Sequence, residues 1–217
     1  MNIRKRPPVI CLLGIVCLLL VIPIQAGYKP RPWTINTREA YPASLTSEGV
    51  SIAVDPLLSD ALAARVFDKS DMITRGIMPL AIVIFNDNDF PIEVDGLTIE
   101  LIHDSDHIRS LSPNEVVTRL FKKDMTWLPR VTKSPRSELN GAALEDFDEK
   151  FLMDKVVAPH DKGGGFLYLH IPGSKDLVSY LSNSVVYIPN IYRQDNGSRM
   201  IFFEIGLAAA ISAGSRG

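Results

Sequence analysis

The most continuous apolar run outside the N-terminus is residues 77–85 (IMPLAIVIF). With no polar residue alternating through it, the run predicts a strand buried on both faces and central in its sheet. Gly76 opens it, Asn86-Asp87-Asn88-Asp89 stops it, and Phe90-Pro91 starts a return. Residues 92–94 and 97–102 read as the next strands, split at Asp95-Gly96 by a tight turn or a bulge. Upstream, residues 49–54 alternate in strand fashion and end at Asp55-Pro56. Downstream, Gly163-Gly164-Gly165 reads as a flexible turn leading into a strand at 166–171, which Pro172-Gly173 closes. Residues 185–192 and 200–207 flank Gln194-Asp195-Asn196-Gly197-Ser198, where Asn-Gly supplies the positive φ angles of a hairpin turn.

Helical signals are fewer and bunched. Residues 57–67 (LLSDALAARVF) have helical composition, with Ser59 as an N-cap and Leu62, Val66 and Phe67 on one side. Ser112-Pro113-Asn114-Glu115 joins a capping box to a proline at the first helical position, and Val116, Val117, Leu120 and Phe121 follow as an apolar stripe. After a Lys-, Arg-, Pro- and Ser-rich loop at 122–141, residues 142–157 read as another helix carrying Leu144, Phe147, Phe151 and Leu152. Strands about every ten residues with turn chemistry between them predict a mainly β fold, an antiparallel sandwich. The predicted domain spans 50–207, with a two-helix insertion at about 112–157 and one short additional helix. Residues 27–49 hold three prolines and no apolar period, and predict an extended linker that Trp33 and Tyr41 could pin to the surface. Residues 208–217 predict a flexible tail.

The first 26 residues stand apart. Arg4, Lys5 and Arg6 precede an uncharged run at 9–24, and Gln25-Ala26-Gly27 offers a small residue for cleavage between Ala26 and Gly27. This is the pattern of a signal peptide; a retained N-terminal membrane anchor is the alternative, since no charge falls between Arg6 and Lys29. Both cysteines, Cys11 and Cys17, lie in this leader. The exported part therefore has no disulfide and depends on its own core. Removing the three leader cations leaves 20 basic against 25 acidic residues, a net charge of about −5. A mildly acidic domain without basic clusters argues against nucleic acid as a partner and limits membrane contact to the N-terminal segment.

Residues 76–101 (GIMPLAIVIFNDNDFPIEVDGLTIEL) resemble the paired strands of immunoglobulin-like modules found in many bacterial exported proteins. In those modules an apolar strand ends in an Asn/Asp-rich turn with a Pro-led return. Residues 163–172 and the closing hairpin are similar to the same class. The resemblance implies an immunoglobulin-like sandwich and an extracytoplasmic address, and it carries over no catalytic residue.

Candidate chemistry is sparse. His103-Asp104-Ser105-Asp106-His107 holds the residue types of a transition-metal site. On an extended strand, however, residues four apart stand roughly 13 Å from each other, so only a tight loop could gather them; the competing reading is a polar hairpin loop. Asn86 to Asp89 lacks the glycine and the bidentate glutamate of a calcium loop and reads as a turn. No Gly-x-Ser-x-Gly elbow occurs. The sequence thus predicts an exported envelope or periplasmic protein without enzymatic activity or cofactor, binding or scaffolding a protein partner. The alternative is a metal-binding protein or metal-dependent enzyme using His103, Asp104, Asp106 and His107.

Overall fold

The computed structural model describes residues 28–121, 136–171 and 176–214; the leader, the Ala26–Gly27 junction, residues 122–135 of the predicted 122–141 loop and Pro172-Gly173 lie outside them. From the N-terminus, β1 (Ser44–Ser47) and β2 (Val50–Pro56) form a hairpin, followed by α1 (Asp60–Val66). Ser59 caps α1 as the sequence predicts, its side chain accepting the Leu62 N–H. Next come β3 (Ile77–Asn86), β4 (Ile92–Asp95), β5 (Glu100–His103) and β6 (Asp106–Arg109). Asp95-Gly96 opens a single 3-10 turn, Gly96–Thr98, that carries the chain from one sheet to another. Helices α2 (Pro113–Phe121) and α3 (Arg136–Lys150) follow, and the capping box forms, the Ser112 N–H donating to Glu115 Oε2 at 2.9 Å and the Glu115 N–H to Ser112 Oγ at 3.4 Å. The chain ends with β7 (Asp154–Val157), β8 (Asp161–His170), α4 (Leu177–Ser182), β9 (Ser184–Ile188), β10 (Ile191–Arg193), β11 (Phe203–Gly206) and α5 (Ala208–Gly214).

The protein is mainly β. Its strands form three antiparallel sheets, ordered β1-β2-β3-β8, β10-β4-β7 and β11-β9-β5-β6. Every residue of β3 is buried, and strand parity explains why. Its even positions, with Ile52, Val54, Leu167 and Leu169, enter a core shared with Ile92, Leu101, Val186, Ile188 and Ile205 of the other two sheets. On the opposite face, Ile77, Ala81, Phe166 and Tyr168 pack under the helices with Phe67, Val116, Leu120 and Phe147. Phe67 stacks on Phe147 at 4.7 Å and meets Phe166 edge-on at 5.3 Å. A strand with apolar layers on both sides needs no polar alternation.

Four sequence expectations change. Residues 28–43 form a strap along the first sheet in place of a free linker. Trp33, Ile35 and buried Tyr41 cover Ala53, Val83 and Phe85, and the residues that follow the strap form edge strand β1. The predicted helix at 142–157 ends at Lys150, and residues 154–157 become β7 because β4 offers them a full register from Ile92–Val157 to Asp95–Asp154. Gly163-Gly164-Gly165 lies inside β8 and not in a turn, paired with Ile84, Val83 and Ile82. Small residues are needed there for close approach: a Cβ on Gly165 would stand 2.9 Å from Leu152 N and from Lys150 O. The tail is helical from Ala208 to Gly214, with Ala210 and Ile211 buried. The closing hairpin forms as the Asn-Gly turn predicts: β9 pairs with β11, and residues 191–193 stay in it, Tyr192 bridging Arg199 and Arg193 N–H donating to Ser198 O at 2.9 Å, while also pairing with β4.

Candidate functional site: a cleft between two sheet edges

β7 and β8 are consecutive but belong to different sheets, and each is the end strand of its own. The edge of β8 is covered along its second half: Leu152 N–H donates to Phe166 O at 3.0 Å, and Leu111 N–H to Tyr168 O at 2.8 Å. Its first half, with β7, the strap and the last turn of α3, encloses a cleft of about 790 Å³ lined by Arg31, Trp33, Lys150, Lys155, Lys162 and Gly164 among others.

The walls are fixed by polar contacts. Lys150 pairs with Asp146 one helical turn back, both buried, and Tyr28 Oη donates to the other Asp146 oxygen at 2.6 Å. A charged pair this dry persists because every partner is present; removing one member of such a pair costs about 3–5 kcal/mol. Lys162 Nζ donates to Ile35 O at 2.8 Å and ties the strap to β8. Arg31 joins Asp68 at 3.0 Å and the Ala64 carbonyl. The Lys29 N–H, followed by Arg31, holds the Asp68 carboxyl below the usual carboxylate range. Lys155 lies with Val157 over Gly163.

Burial, then Asp146, raises the Tyr28 hydroxyl well above the ordinary phenol range. Burial does the same for Tyr168, which donates to Phe147 O at 2.7 Å. In the unfolded chain both ionise near pH 10, while the folded chain keeps the protons. Their contribution to stability is thus present below about pH 10 and lost as pH rises beyond it. The melting temperature is expected to fall above about pH 10, and to fall less steeply in Tyr28→Phe.

The histidine hairpin is divided by its register. Ile102 faces His107 and His103 faces Asp106, so alternation puts His103 and His107 on opposite faces. His103 stacks on Tyr180 at 3.8 Å and contacts Ser184 Oγ at 3.1 Å. Asp104 takes a positive φ of 52° in the turn, and its carboxylate comes within 3.6 Å of His103. His107 Nδ1 lies 2.7 Å from Glu100 Oε2 on the outer face, beside Arg109; His107 first, then Arg109, lowers the Glu100 pKa. Asp106 is exposed at the edge. No group of three or more His, Cys, Asp or Glu among the described residues is arranged to hold a metal ion. The Asn86 loop is a structural turn: buried Asn86 donates to Phe90 O at 2.8 Å and Ala158 O at 3.0 Å.

The cleft has no motif to betray it. Residues 28–35, 146–150 and 155–164 are joined only by tertiary packing, and the one local cue, the glycine run, reads equally well as a turn. Fold and site together define a mainly β protein of three antiparallel sheets carrying a cleft of mixed polar and apolar lining, with no described helix long and apolar enough to cross a membrane.

No protein-family model and no curated protein matches the chain. Among solved structures, the yjhA protein of Bacillus subtilis is similar at a TM-score of 0.38 and 10% identity, over 69% of this chain and 80% of that one. The ycdA protein of Bacillus subtilis subsp. subtilis str. 168 is similar at a TM-score of 0.39 and 10% identity, over 80% of this chain and 42% of that one. This chain thus spans less than half of the ycdA chain, and likeness at this level carries no argument about function.

Proposed function

We propose that the chain is an exported cell-envelope module of immunoglobulin-like sandwich architecture that binds a protein partner without catalysis. The basic-then-apolar leader and the cysteine-free remainder support the address. The sandwich reading draws support from the facing orders β1-β2-β3-β8 and β11-β9-β5-β6. The observation that carries the binding role is the cleft, where the first half of β8 and the outer edge of β7 stand open side by side. Unpaired strand edges accept an extended segment through main-chain hydrogen bonds. The occupant is an extended stretch of a partner polypeptide.

A photoreactive residue placed at Val156, exposed on β7 and lining the cleft, tests this in intact cells. A discrete protein adduct is expected at Val156 and none from the same probe at Glu204, on the exposed side of β11. Absence of an adduct at Val156, or equal adducts at both positions, overturns the assignment.

A further inference from the structure

The two strand edges that flank the cleft are not equally free. The Gly96 N–H donates to Met153 O at 2.7 Å, and Asp95 faces Asp154 in the register of β4 and β7. Antiparallel strands alternate hydrogen-bonded with non-hydrogen-bonded pairs. Lys155 and Val157 therefore turn their main-chain groups to β4, while Asp154 and Val156 turn theirs to the open edge. On β8, Phe166 O is taken by the Leu152 N–H, so the outward positions in the first half are Lys162 and Gly164. The Lys162 N–H already donates to Asp161 Oδ1 at 2.8 Å. Among the described residues, an added strand thus finds donor and acceptor both free at two positions of β7 and at one of β8.

The side chains follow the same parity. Val157 enters the core, so Lys155 points to that side, while Asp154 and Val156 point to the outer face, where both are exposed. Opposite them on β4 stand Asp95 and Glu93. Asp154 therefore shares a closely spaced pair with Asp95, and like charges directly opposite are destabilising. Asp95 has a local task, accepting the Leu97 N–H at 3.1 Å. Among the described residues, no cation pairs with Glu93, Asp95 or Asp154. Arg199, in the row of Glu93 beyond Tyr192, donates instead to Pro189 O at 2.7 Å. The free main chain of β7 is thus bordered on one face by a carboxylate without a counter-charge and, two residues on, by an exposed valine.

We infer that the extended segment pairs with β7 and sets a Lys or Arg side chain beside Asp154, with an apolar side chain two positions away beside Val156. Directly opposed side chains on one face stand about 4.5–5.5 Å apart, so a long cation beside Asp154 also relieves its repulsion with Asp95. The residue between the two points to the other face, beside Lys155. Recognition then reads alternate positions of the segment and not its net charge. The inference rests on the strand-addition reading of the cleft, and adds to it which edge is used and which chemistry is read there.

The test uses the full chain in intact cells with the photoreactive residue at Val156, alone and combined with Asp154→Lys or Glu204→Lys. Asp154→Lys is expected to cut the yield of the partner adduct at least about fivefold, because an attractive pair becomes a repulsive one. Glu204→Lys, on the exposed side of β11, is expected to leave the yield unchanged. Mass-spectrometric mapping of the adduct formed without either substitution is expected to place a Lys or Arg of the partner within about three residues of the attachment point. That mapping needs no variant, so it decides the inference even where Asp154→Lys fails to fold. A yield indifferent to Asp154→Lys in a folded chain, an equal loss with Glu204→Lys, or a partner peptide without a cation at that distance overturns the inference and leaves the cleft reading standing. No adduct at Val156 in the otherwise unchanged chain overturns the cleft reading, and the inference with it.

Discussion

Gly164→Ala is expected to remove the cooperative thermal transition seen by circular dichroism, while Gly206→Ala leaves it unchanged. A Cβ on Gly164 would stand 2.3 Å from the Ile82 carbonyl oxygen and 3.2 Å from Val83 Cα. Both atoms are backbone of β3, which is buried along its whole length and paired with β2 and β8. Neither strand can yield without opening the core on one face or the helical layer on the other. The cost is expected to exceed about 4 kcal/mol, a large fraction of the roughly 5–15 kcal/mol that holds a domain together. At Gly206 a Cβ meets nothing within 4 Å, so alanine there controls for the change of residue type. A Gly164→Ala chain that melts as wild type does would mean that β3 and β8 are not packed this closely.

Asn86→Ala is the second large effect. Asn86 is fully buried at the end of β3, where its amide serves three carbonyls: Phe90 at 2.8 Å, Ala158 at 3.0 Å and Val157 at 3.2 Å. Its oxygen accepts the Asn88 N–H at 3.1 Å. One side chain thereby joins the turn leaving β3 to the turn between β7 and β8. Alanine leaves those carbonyls short of a donor, the Val157 one buried and the other two partly so, at about 1–3 kcal/mol for a buried group left unsatisfied, and also opens a small void. A loss of about 3–4 kcal/mol is expected, lowering the melting temperature by roughly 10 °C at this chain length. Asn86→Asp is expected to be at least as damaging, because it replaces the donor with an acceptor facing three carbonyls. A change under about 1 kcal/mol in the alanine variant would show that water takes over the bonds.

The residues that were legible in the sequence are those whose own environment sets their type. Ile77 to Phe85 announces β3 because a strand covered on both faces selects apolar residues throughout, and Ser59 and Ser112 announce helix starts because a cap needs its oxygen. The residues misread take their structure from a distant partner. Ser44 to Ser47 is polar edge strand, visible only in its pairing with β2. Phe151 and Leu152 extend the helical spacing of α3, yet Leu152 N–H bonds β8 and the following residues pair with β4. Ala208 to Gly214 has too little side chain to show an apolar stripe, although Ala210 and Ile211 are buried. The histidine cluster was legible as composition only, because which face each side chain takes depends on hairpin register. The cleft was not legible at all, since it is made of three segments that meet only in the folded chain.

Under tension, the strap over the first sheet is expected to act as a fuse. A pull at residue 28 meets Tyr28 on Asp146, then Lys29 and Arg31 on Asp68, then Trp33 on Phe166 at 4.7 Å. These contacts are met in series and give way singly, whereas a load along β3 strains its hydrogen bonds to β2 and β8 together. A pull at residue 28 would thus pay out residues 28–43, roughly 50 Å of extended chain, before the sheets are disturbed.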